Sequence, residues 1–364
     1  MKLKKTGALL ALALAATAAA GCNASAGGDK AGGLAGGPVV LRMASATSQP
    51  SQAPAVADFI RQVRALAGGS VQIQVMNQWG NYTSSNEAQV VHAVAAGTVD
   101  LGWAGSEVFD TLGVPGLRAL SAPMLIDSYP LESAVLRSGI PDRMLAGLSK
   151  LGVSGLGVLG EQLRLPFSAR RPLLAPADWR GVLFGTYRSG VQEQAIRALG
   201  ATPVVAFGIY RNHDLADGQI QGFELDISRY VHDVGPVGKL YVTANEVLWP
   251  QFDVLVANPR RLASLTSQQR GWLQQAAGEA ARDSVALAAG GGATYIRRAC
   301  AIGARFVTAT PADLAAMRKA LSAVYQSLET DPQARAFIQQ IQRLKTATPP
   351  GPSLPVPANC TRAH

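Results

Sequence analysis

Two rhythms of apolar residues alternate along this chain, one repeating every second position and the other every third or fourth. Their succession predicts strands alternating with helices, the pattern of an α/β fold with mostly parallel sheets. Val39 to Ala44 reads as a strand. Pro54 to Leu66 reads as a helix whose Val56, Phe59, Ile60, Val63 and Leu66 share one face until Gly68 and Gly69 stop it. Val71, Ile73 and Val75 alternate as a half-buried strand. Ser85 opens a helix that turns Val90, Val91 and Val94 inward and ends at Gly97, and Asp100 to Ala104 is a short strand. Helical stretches over Leu131 to Ser138 and Pro141 to Leu151 lead into an apolar strand from Val153 to Leu159.

A second lobe is expected to begin near Gly160. Arg164 to Phe167 and Val182 to Phe184 read as strands, Gly190 to Leu199 as a helix, Pro203 to Ala206 as a strand, and Gly218 to Glu224 as a turn. Leu240 to Thr243 and Phe252 to Val256 read as strands returning to the first lobe. Thr266 starts a long helix interrupted at Gly290 to Gly292, Arg305 to Val307 adds a strand to the second sheet, and Pro311 to Thr330 and Pro332 to Lys345 are helical. The chain thus crosses between lobes several times, as a hinged cleft requires. The expected division is residues 38–159 with 238–285 for lobe I and residues 160–237 with 286–346 for lobe II.

The ends carry different chemistry. Lys2, Lys4 and Lys5 precede an apolar run from Ala8 to Ala20, too short for a bilayer of about 30 Å, so residues 1–22 read as an export signal. Ala19-Ala20-Gly21-Cys22 resembles a bacterial lipobox, in which Cys22 is lipidated and becomes the mature N-terminus; Ala19 stands where Leu is usual, which leaves plain cleavage as the alternative. Residues 23–37 are Gly- and Ala-rich and bury nothing, a flexible tether of roughly 20 Å root-mean-square span. The expected location is therefore outside the cell, anchored by lipid to the outer face of the membrane. Cys300 and Cys360 then remain in an oxidising compartment. They form either a disulfide that pins the Pro-rich tail, residues 347–364, or two unrelated thiols.

Composition narrows the function. Charged residues make up 16% and apolar ones 48%, a globular balance. The formal charge of +9 falls to +6 without Lys2, Lys4 and Lys5, and no run of basic residues supports a nucleic-acid partner. Enzyme motifs fail. Gly155-Leu156-Gly157-Val158-Leu159-Gly160 fits the dinucleotide string but lies in a strand with no phosphate-binding helix after it. His92, His213, His232 and His364 have no metal-ligand spacing, so no metal, cofactor or catalytic set is expected.

Several stretches carry a resemblance in order. Gly97-Thr98-Val99-Asp100-Leu101 turns into a strand, and Pro176-Ala177-Asp178-Trp179-Arg180-Gly181 follows Arg171-Pro172. Ala198-Leu199-Gly200-Ala201-Thr202-Pro203-Val204 comes next, and Leu265-Thr266-Ser267-Gln268-Gln269-Arg270 opens the long helix. From Leu41 to Lys345 the succession resembles the solute receptors of tripartite ATP-independent periplasmic (TRAP) transporters, the DctP-like family. The resemblance implies a monomeric two-lobed clamshell of the periplasmic-binding-protein kind, with a long helix bridging the lobes. It implies capture of a small organic anion, delivered to integral membrane permease subunits. The runner-up is a clamshell serving another permease or a sensor kinase, with a larger or less acidic solute.

Arg164 falls where the family places one carboxylate-binding arginine. Gly185 stands where the second is expected, with Arg188 three residues on. In the turn that follows, Glu224 matches the family pattern, while Phe223 does not. Trp79, Asn81, Trp103, Tyr187 and Trp249 lie near strand ends, where open α/β sheets bind ligands, so each is a candidate contact; packing between the lobes is the alternative. Glu87 reads as a helix-start acid favoured by the macrodipole. Replacing Cys22 with Ala is expected to remove the diacylglycerol mass and membrane attachment, and an unchanged mature mass on mass spectrometry would refute lipidation.

Overall fold

A computed structural model describes residues 37–361 other than 188, 207 and 235–238. Cys22, the export signal, nearly all of the tether and Arg188 therefore lie outside the described residues. Ten strands are described: β1 (Val39–Ala44), β2 (Val71–Met76), β3 (Leu101–Gly105), β4 (Ser154–Ser168), β5 (Leu183–Thr186), β6 (Thr202–Val205), β7 (Gly222–Leu225), β8 (Leu240–Thr243), β9 (Trp249–Ala257) and β10 (Ala304–Val307). They form one curled sheet in the order β2-β1-β3-β9-β4-β7-β5-β6, with β8 joining both β4 and β10.

The outer ladders are parallel, as the helical crossovers demand, and β5 lies between β6 and β7 in the same sense. The centre is not. β4 and β9 run antiparallel to each other, and each runs antiparallel to its outer neighbours β7, β8 and β3. The expected break at Gly160 does not occur, because β4 is a single strand of 15 residues. Its residues from Ser154 to Arg164 pair with β9 and its last residues, Leu165 to Ser168, pair with β7. Glu161 and Gln162, which interrupt the apolar run, fall in a register shift between Gly160 and Leu163. The amide of Gly160, freed by that irregularity, donates to Oγ of Ser284 at 2.9 Å.

Ser284 belongs to the long helix Ser267–Ala289, which starts at a reciprocal cap: Thr266 Oγ1 accepts from the Gln269 amide, and Gln269 Oε1 accepts from the Thr266 amide. Its buried face is mostly small, with Ala276, Ala277 and Ala280, so the helix lies close against β4. The helix Pro54–Leu66 covers the same side through Val56, Phe59 and Val63, as its spacing predicts. Beyond Gly290 and Gly291 a second helix, Gly292–Ala301, leads to β10.

Two further corrections concern the second strand group. Leu240–Thr243, expected in lobe I, pairs with β10 and with Phe167 and Ser168 of β4, so it belongs with the second group. The stretch expected as a turn up to Glu224 holds β7, and an unexpected helix, Gly208–Ala216, precedes it. The residues from Pro38 onward form one compact unit, through which apolar packing runs continuously from Val90 and Phe252 to Trp179 and Phe184. Among the described residues no helix is long and apolar enough to cross a membrane.

Cys300 and Cys360 form a disulfide with their α-carbons 5.7 Å apart. Cys360 is buried, and Leu354 and Val356 of the Pro-rich tail pack against the same core cluster. Closing a loop of some 60 residues stabilises the fold by at most about 4 kcal/mol through loop entropy. Replacing both cysteines with Ser is expected to lower the urea midpoint accordingly, and an unchanged midpoint would show that the tail packing alone suffices.

Candidate functional site

Arg164 sits on β4 just past the register shift, opposite Trp249 of β9, at the point where the strand passes from one group of strands to the other. Its side chain is gripped from both. Nη1 donates to Oε2 of Glu224 on β7 at 3.0 Å. Nε and Nη2 both donate to Oε1 of Gln251 on β9, at 3.1 and 2.9 Å. Gln251 in turn directs Nε2 at both carboxylate oxygens of Glu107, 3.3 Å away. Glu107 follows the end of β3 and caps a short helix, Val108–Thr111. The chain Glu224–Arg164–Gln251–Glu107 therefore ties β7, β4 and β9 to the segment that follows β3. Gly105 is needed for this arrangement: a Cβ there would collide with the Glu107 carboxylate and lie 2.7 Å from Nε2 of Gln251.

Carboxyl groups crowd this junction. Glu87 accepts from the Gly105 amide at 2.7 Å, which fixes its carboxyl beside the end of β3 in addition to its place in the first turn of the helix Asn86–Ala96. Burial raises its pKa to about 8, with the Glu107 charge adding to the shift. Burial raises Glu107 as well, against the opposing charge of Arg164. Glu224 rises to about 7 through burial despite Arg164, and Glu161 to about 7 despite Arg229. Asp253 is pushed up by burial and by Glu161, with which it shares a hydrogen bond. Burial works against the charge of Arg164, but Glu224, Asp226 and Glu107 outweigh it and keep the guanidinium protonated. Among the described residues no acidic group is arranged to hold a metal ion.

The sequence-predicted residues divide. Arg164 and Glu224 meet in one ion pair. Tyr187, at the end of β5, donates its hydroxyl to Oδ1 of Asn86 at 3.2 Å, a contact between the two strand groups. Phe223 is fully buried, stacks on Phe167 with centroids 5.2 Å apart, and lies under the Arg211 guanidinium. Trp103 is buried in the core, packed with Leu41, Leu101 and Leu255. Trp249 is likewise core, beside Leu248 and Phe252, with its indole N–H unpartnered. Both sit in strands buried on both faces, where an aromatic packs whichever way it points. Trp79 is half-buried against the apolar core, and Asn81 is exposed in a tight left-handed turn with φ of 50°.

Sequence reasoning missed Glu107, Glu161, Asp253 and Arg211. Glu161 and Asp253 carried a usable sign, since Asp253 is the one charge of an otherwise apolar strand and Glu161 shares its strand only with Arg164. Arg211 carried none, because its helix was not expected.

These carboxyls make stability depend on pH in an unusual direction. Their folded-state pKa values exceed the ordinary 4.5, so the folded protein binds more protons than the unfolded chain between about 4.5 and 8. Stability is then highest at the low end of that window and falls as pH rises through about 7 to 8. The urea midpoint at about pH 5.5 is expected to exceed that at about pH 8.5 at fixed salt; the reverse order would mean the carboxyls are held ionised by Arg164 and Arg229.

The fold is shared by solved structures. A TRAP periplasmic solute-binding protein from Ralstonia eutropha H16, with bound (S)-2-acetolactate, superposes with a TM-score of 0.74 at 21% identity, covering 85% of this chain and 99% of that one. Two curated proteins match in part. The 2,3-diketo-L-gulonate-binding periplasmic protein YiaO of Escherichia coli is 26% identical over 45% of this chain and 49% of its own. The C4-dicarboxylate-binding periplasmic protein DctP of Rhodobacter capsulatus is 25% identical over 51% and 55% respectively. The chain thus spans about half the length of these curated relatives. The family of bacterial extracellular solute-binding proteins, family 7, matches residues 43–331. With that match spanning most of its length, the chain belongs to the DctP family of extracellular solute-binding proteins.

Proposed function

We propose that this protein captures a small organic anion of the carboxylate class in a cleft between the two strand groups and hands it to the membrane subunits of a TRAP-type permease. The observation that carries the reading is Arg164. It lies where β4 leaves one strand group for the other, its plane set by Gln251 and Glu224, at a position the family resemblance assigns to carboxylate binding. A guanidinium held in a fixed plane is suited to a carboxylate, since its remaining N–H groups are aimed before the ligand arrives. The solutes named for the relatives, a diketogulonate, C4-dicarboxylates and an acetolactate, are all carboxylates.

Binding closes the two groups about a hinge near Gly160 and at the Gly290 helix break. The protein acts as a monomer outside the cell, held to the outer face of the membrane by lipid on Cys22. Catalysis forms no part of the reading.

A thermal-shift screen of D-glucuronate, succinate, 2,3-diketo-L-gulonate, amino acids and neutral sugars tests it. A solute at 100 times its Kd adds about 2.7 kcal/mol, a readily measured shift. Arg164→Lys keeps the charge but loses the planar fork, and is expected to weaken a carboxylate by about ten- to a hundredfold. Shifts by neutral solutes alone would favour the less acidic class.

A further inference from the structure

Arg211 is a buried cation whose hydrogen-bonding capacity the fold does not use. It lies on the helix Gly208–Ala216 and is 7% exposed. Among the described residues its Nε and Nη2 have no hydrogen-bond partner. These two nitrogens form one edge of the guanidinium and present parallel N–H groups, the geometry that meets both oxygens of a carboxylate. The plane itself is held, because the guanidinium carbon sits 5.4 Å from the Phe223 ring centroid. Burial lowers its pKa to about 10, and the charge of Arg164 adds to that, while Asp233 and Glu224 oppose it. It stays charged at neutral pH, and it senses Arg164 and Glu224 as neighbours.

Position 185 explains why such a group is needed. The family resemblance expects an arginine there, but a Cβ on Gly185 would meet Ile220 Cδ1 at 3.0 Å, Ala206 Cβ at 3.1 Å and Phe223 Cβ at 3.4 Å. The space is filled by apolar groups, and one of them is the same Phe223 that carries Arg211. Arg164, for its part, already has Glu224 as a counter-charge. A buried donor without an acceptor is costly, so an anion entering beside Arg211 gains hydrogen bonds at Nε and Nη2 that no described residue supplies.

We infer that Arg211 is the second arginine of the solute site, taking the ligand carboxylate side-on through Nε and Nη2 in place of the arginine absent at position 185. The inference rests on the carboxylate reading above and adds the residue, the edge and the charge that select for it. It also separates two roles: Arg164 is held by Glu224 and Gln251, whereas the buried Nε and Nη2 of Arg211 keep their donors unused.

The test compares wild type, Arg211→Met and Arg211→Gln in the full processed protein, with D-glucuronate, succinate and 2,3-diketo-L-gulonate as probes and D-glucose as the neutral control. Calorimetry is expected to show affinity for the acids reduced at least about a hundredfold in both variants. The unliganded melting temperature of Arg211→Met is expected to equal or exceed that of wild type, since buried donors without acceptors have been replaced by an apolar chain of similar length. Retained affinity in the variants would overturn the inference while leaving the carboxylate reading intact. A melting temperature lowered in both variants would also overturn it, by showing that Arg211 is a structural prop. If wild type binds none of the acids, the carboxylate reading fails and the inference falls with it.

Discussion

Everything in this molecule depends on β4 running without a break through the register shift between Gly160 and Leu163. A strand that serves two ladders must satisfy its backbone groups in both, and at the shift one amide is left over. Ser284 takes it, which fastens the long helix to the strand at the point of irregularity. The consequence reaches the site directly. Arg164, four residues beyond Gly160, is delivered to the junction by backbone that belongs to both strand groups. Glu224 and Gln251 then hold it from opposite sides. Relative motion of the two groups has to be taken up by twist in β4 and β9, or it must break one of these charged hydrogen bonds.

The electrostatics of the junction follow from burial more than from pairing. Glu87, Glu107, Glu161, Glu224 and Asp253 share the region with Arg164, Arg211 and Arg229, so full ionisation of every carboxyl would leave an excess of negative charge away from water. Protonation relieves that cost, and the raised pKa values express it. A protonated carboxyl is a donor as well as an acceptor, so near neutral pH this cluster holds both kinds of group. The overall charge of +9 gives no hint of this local balance.

The elements that could be read from the sequence were those bounded by strong local chemistry. Pro54–Leu66 was legible from its apolar face, and the helix Asn86–Ala96 from the left-handed Gly97 that ends it. The thread was lost where tertiary pairing overrides local pattern. Glu161 and Gln162 look like the end of a strand but lie inside one. Leu240–Thr243 has the same apolar composition in either strand group, and only its partners assign it. In the site, Arg164 and Glu224 were legible because each sits in a recognisable stretch. Gln251, Glu107 and Arg211 come from three distant segments with no shared spacing, so only the folded sheet brings them into view. Trp103 and Trp249 lie in strands covered on both faces, where an aromatic near a strand end packs in the core whichever way it points.

Gly185 and Phe223 are best understood as a pair. Phe223 needs the room that a side chain at 185 would occupy, and it uses that room to stack on Phe167 and to support Arg211. A cation on strand β5 would be fixed by the sheet. A cation on the helix Gly208–Ala216 is fixed instead by an aromatic ring and by the packing of that helix, whose Leu215 is buried with Phe223, Tyr230 and Val242 in one core cluster. On the carboxylate reading proposed above, recognition is thereby coupled to an element outside the sheet. The shape of the site around that carboxylate then differs from one built on two strand arginines, even where the overall fold is the same.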